Sequence, residues 1–137
     1  MKTLTGVILV LCACAAFTTY AADIDGKWII EKKVGDADGK TYTHKSVLTL
    51  KNDNRSLTGT VVQTSEAPWM KSLNGRPIEI SDGKVEGDKF SFKLTVENEK
   101  GQRVSVYEGV IGSDELKGTV KYRGIGITES FTAKRSE

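Results

Sequence analysis

The sequence predicts an all-β domain: an eight-stranded antiparallel up-and-down meander closed as a barrel. Three observations carry this reading. From Gly26 onward the apolar residues recur with period two and never settle into a sustained helical period. The alternating runs are short and are joined by clusters of Gly, Asn and Asp, the residues that turn a chain tightly. A meander of this many strands has two edges to hide, and closing it removes both. A two-sheet β-sandwich of the same strands is the alternative, but turns that join sequential neighbours suit the meander better.

Taken in order, Trp28 and Ile30, with Val34 beyond them, fall on one face of the first strand. Asp36-Ala37-Asp38-Gly39 turns the chain, with Gly39 free to take positive φ. A second strand runs to about Leu50, and Asn52-Asp53-Asn54 turns it into a third carrying Leu57, Gly59 and Val61. The fourth spans about Ile78 to Val85, and the parity shift across Asp82-Gly83 predicts a bulge there. Glu86-Gly87-Asp88-Lys89 makes a tight hairpin into Phe90, Phe92, Leu94 and Val96, the clearest strand of the chain. A sixth strand continues from Val104 to Ile111, and a seventh carries Leu116, Gly118, Val120 and Tyr122. The eighth runs through Phe131 and Ala133 to the end. Weak internal repetition is visible, since Leu57-Thr58-Gly59-Thr60-Val61 returns as Leu116-Lys117-Gly118-Thr119-Val120. Shared hairpin chemistry explains it as well as duplication does.

Ahead of these strands lies a segment of a different kind. Lys2 is followed by an apolar stretch from Leu4 to Phe17 and then by Thr19-Tyr20-Ala21-Ala22, the three parts of a secretory signal. Thr19 and Ala21 occupy the small-residue positions for cleavage after Ala21, so residues 1–21 are expected to be a signal peptide and 22–137 the domain. The apolar core is too short for a membrane span, which needs about 20 residues, and the expected destination is the periplasm or the exterior. An alternative lies in Leu11-Cys12-Ala13-Cys14, which resembles a bacterial lipobox. Used as one, it would place a lipid anchor on Cys14 and make an envelope protein. Both cysteines lie in this segment, so the domain itself has no disulfide, thiolate nucleophile or cysteine-held metal.

Without Lys2 the chain has 19 basic and 18 acidic residues, with the signs interspersed. No basic stripe suits a phosphate backbone and no basic helix suits a membrane surface, so nucleic acid is not an expected partner.

Asp25-Gly26-Lys27-Trp28 puts a Gly-x-Trp at the opening of the first strand. There it resembles the lipocalin-like barrels of the calycin group, in which that Trp closes the narrow end. Leu-x-Gly-Thr-Val is similar to a strand of streptavidin-type barrels. The whole domain resembles a loose group of small exported bacterial β-domains. The resemblance implies a barrel and does not fix a function. The polar residues that hold biotin in streptavidin-type barrels are not matched, and no biotin site is carried over.

No catalytic constellation is legible, and a non-enzymatic protein is expected. His44, the only histidine, cannot build a multi-histidine zinc site and reads as a solvent-facing residue of the second strand. Asp36-Ala37-Asp38-Gly39 lacks the further oxygen ligands of a calcium loop and reads as a turn. No metal site or cofactor is expected. Trp28 reads as core.

The long connection from Thr64 to Pro77 stands apart, because it carries Trp69, Met70 and Leu73, which are costly to expose unless they cover something. Alternate connections of an up-and-down barrel lie at alternate ends. This loop therefore shares an end with the Asp36–Gly39, Asn98–Gly101 and Arg123–Gly126 turns, opposite Trp28. Trp69, Met70 and Leu73, with Arg76 for an acidic head group, are the expected ligand-binding residues. The expected function is a non-catalytic binding module for a small apolar or amphiphilic ligand. A protein-interaction module, an inhibitor or accessory of an envelope or secreted enzyme, is the alternative.

Overall fold

A computed structural model describes residues 23–70, 74–98 and 101–136. The N-terminal segment with Cys12 and Cys14, and Leu73 of the long loop, lie outside the described residues.

Nine strand segments form one antiparallel sheet: β1 (Gly26–Gly35), β2 (Thr41–Asp53), β3 (Ser56–Ser65), β4 (Asn74–Glu79), β5 (Ser81–Glu86), β6 (Lys89–Asn98), β7 (Gly101–Ile111), β8 (Glu115–Tyr122) and β9 (Ile127–Ser136). Among the described residues there is no α-helix, only a 3-10 turn at Pro68–Met70. Sequence neighbours pair throughout except β4 with β5, which both lie against β3; β2 joins both β1 and β3, and β9 returns to β1, so the sheet closes. β4 lies along the upper part of β3 and β5 along its lower part, so the two share one of eight barrel positions. The barrel is therefore the one the alternation predicts, and the sandwich is excluded.

The predicted bulge lies within β5, just past the break between those two segments. Asp82 takes a φ of 50°, and the register of β5 on β6 shifts between Ser81 and Lys84. A Cβ on Gly83 would come within 2.0 Å of the Leu57 carbonyl oxygen, so only glycine lets β5 approach β3 this closely.

Each strand turns one parity inward, because in-phase apolar residues must leave water together. Trp28, Leu57, Phe90, Phe92, Leu94 and Val120 are buried as their phase requires, and Ile30 is partly buried against them. Across β6 to β9 a row reads Phe90, Gly109, Gly118, Phe131 at successive paired positions. The two glycines leave the sheet bare, and the rings of Phe90 and Phe131 meet over them, centroids 6.4 Å apart. Phe92 stacks on Tyr107 at 4.7 Å, which extends the aromatic layer.

Trp28 seals the lower end. It is wholly buried, its indole N–H donates to the Ile24 carbonyl at 2.8 Å, and the Arg135 guanidinium lies 4.1 Å above its ring. The same guanidinium donates to the carbonyls of Asp23 (2.6 Å), Asp25 (2.9 Å) and Ser113 (3.2 Å). Arg135 thus ties the chain before β1 to the β7–β8 turn, over the aromatic plug.

Candidate functional site

The interior changes character along the barrel axis. The lower layers hold Trp28, Leu48, Leu57, Phe92 and Leu116. Above them the same inward rows continue into polar residues: Trp28-x-Ile30 leads to Lys32, Leu50-x-Leu48 to Ser46 and His44, Val61 to Gln63, Val120 to Tyr122, and Phe131 to Glu129. These residues line a cleft of about 490 Å³, within the range of small-molecule sites.

The cleft opens sideways. β1 and β9 pair only at Lys27–Ser136, Trp28–Arg135 and Ile29–Lys134. Above that the two strands part, and the outward-facing Glu31, Ser130 and Thr132 join the lining. The opening is thus a slot between the first and last strands, beyond their three paired positions. One ion pair crosses it, from Lys32 Nζ to Glu129 Oε2 at 2.7 Å, with both side chains partly exposed. Glu129 Oε2 also accepts the Tyr122 hydroxyl at 3.4 Å.

His44 faces this cleft rather than solvent, which corrects the sequence-based expectation. It is half-buried, and its Nδ1 is buried without a hydrogen-bond partner among the described residues. Burial first and the nearby Lys32 charge second hold its pKa below the usual histidine value, against a smaller opposing pull from Glu129. The imidazole is therefore neutral, and its free nitrogen can meet a ligand. Tyr107 and Tyr122 are pushed above the ordinary phenol value, chiefly by burial. Both remain protonated hydroxyls at neutral pH.

The loop residues predicted as ligand contacts lie at the rim. Trp69 is 53% exposed and sets its ring edge-on to Tyr42 at 5.3 Å, at the upper end of the inward row of β2. Met70 is half-buried and Arg76 is exposed on β4. None of the three lines the cleft. Ile125 and Ile127, in and beside the β8–β9 turn of the same end, are also exposed.

Sequence reasoning missed Lys32, His44, Ser46, Gln63, Tyr122 and Glu129. The signal was present, since each is in phase with buried apolar neighbours two or four residues away. A polar residue on an inward row marks a place where the core is not filled.

Among the described residues no three His, Cys, Asp or Glu side chains gather as a metal site, and no helix is long and apolar enough to cross a membrane. No family model, curated protein or solved structure matches this chain.

Proposed function

We propose that this barrel is a non-catalytic binding module that takes a small amphiphilic ligand into its upper interior. The observation that carries the reading is the lateral cleft, apolar at its floor and polar at its slot. Val120, Phe131 and the ring of Tyr107 offer apolar surface below, while Lys32, His44, Gln63 and Glu129 offer polar groups above. Few convergent polar groups over an apolar floor is the usual character of a ligand site.

Lipocalin-like kinship belongs to the same proposal, supported by Gly26-Lys27-Trp28 at the head of β1 and by the sealing role of Trp28. So does export, which rests on the segment of residues 1–21.

A cleft-filling substitution tests the reading. Val120→Trp should leave the barrel folded by circular dichroism and abolish binding of an environment-sensitive apolar dye. Undiminished dye binding by the folded variant would place the ligand elsewhere.

A second reading has its own observation, the exposed Trp69, Ile125 and Ile127 at one end. Apolar side chains so placed suit a protein partner docked on the rim. Binding to such a partner would survive Val120→Trp and be lost with Trp69→Asp.

A further inference from the structure

We infer that the cleft selects an amphiphile with a cationic head, an alkylammonium, which takes the place of the Lys32 ammonium on Glu129. The inference rests on the proposed binding role and names the ligand class.

The two charges that meet across the slot are not equivalent. Lys32 is the more exposed, its side chain 49% accessible against 38% for Glu129. It reaches in from the β1 edge on a flexible stem, so it can swing into water at little cost. Glu129 has a shorter side chain and is held by the Tyr122 hydroxyl. Both contacts fall on its Oε2, and Oε1 has no partner among the described residues. A site that already holds an ammonium 2.7 Å from a carboxylate has the geometry for another.

The remaining lining points the same way. Aromatic rings of Tyr107, Tyr122 and Phe131 share the wall with Glu129, and ring faces attract cations. His44, kept neutral, adds no second positive charge to repel the guest. An anionic head could pair only with Lys32, and would then lie in a cleft lined by two carboxylates, Glu31 and Glu129.

Calorimetric titration of the purified protein with octylammonium, octanoate and octanol tests this, since the three share one tail. Octylammonium should bind most tightly. Glu129→Gln should weaken octylammonium by about tenfold and leave octanol unchanged. Lys32→Gln should tighten octylammonium, because the competing ammonium is gone. Should Lys32→Gln weaken it, or should octanoate bind best, the head-group assignment is overturned while the binding cleft stands. If none of the three probes binds, the binding role and the assignment fall together.

Discussion

The Trp28 plug carries a consequence that the second tryptophan makes measurable. Truncating Trp28 to Ala removes the largest wholly buried side chain and its indole N–H bond to Ile24, and takes away the surface under the Arg135 guanidinium. Large aromatic truncations in cores cost about 3–5 kcal/mol, a large part of the roughly 5–15 kcal/mol that holds a domain together. With a urea dependence of about 1.5–2 kcal/mol per molar, within the range for small proteins, the unfolding midpoint should fall by about 1.5–3 M. Trp28→Phe keeps most of the apolar fill and leaves the Ile24 carbonyl unpaired, a loss of about 1–3 kcal/mol. Trp69→Ala loses only a partly exposed edge contact with Tyr42, worth about 0.5–1.5 kcal/mol. Urea unfolding followed by circular dichroism measures all three. Because the chain has two tryptophans, each alanine variant also reports one environment. The fluorescence of Trp28 should be blue-shifted and that of Trp69 red-shifted. A Trp69→Ala midpoint as low as that of Trp28→Ala would refute the division between plug and rim.

Three further outcomes follow from the geometry. Gly118→Ala would put a Cβ 1.9 Å from the Glu108 carbonyl oxygen and 2.7 Å from the Gly109 Cα; overpacking of this kind costs about 1–3 kcal/mol, read as a lowered melting temperature. His44 is held neutral in the fold, so the unfolded chain takes up its proton first. This contribution leaves stability flat above the ordinary histidine value of about 6.5 and lowers it as pH falls through that value, levelling only below the depressed folded one. His44→Gln should remove that part of the slope in denaturation profiles taken across acid pH. In an alkaline titration followed by phenolate absorbance, Tyr107 and Tyr122 should ionise above the ordinary value of about 10, and urea should return both to it.

The architecture was legible in the sequence because a strand's side chains alternate strictly. One row of apolar residues on each run is enough to say which face leaves water, and turn residues say where the chain reverses. Trp28, Phe90, Phe92 and Leu94 could be placed in the core from phase alone, as could the bulge at Gly83. Trp69, Met70 and Arg76 were chosen because an apolar loop needs a reason, and the fold puts them on the rim. The polar cleft was not chosen, because polarity at a single position looks the same whether the strand faces water or a half-filled barrel.

What the sequence by itself determined was thus local: period, turn chemistry, the core place of Trp28 and the bulge at Gly83. What only the tertiary structure decided was where the first and last strands part. The pairing of β1 with β9 stops after Ile29 and Lys134, and no pattern within either strand says so. It depends on how far two segments a hundred residues apart stay within hydrogen-bonding distance as the sheet twists. That parting creates the slot, brings Lys32 to Glu129 across it and turns His44 from an apparent surface residue into part of a cavity wall.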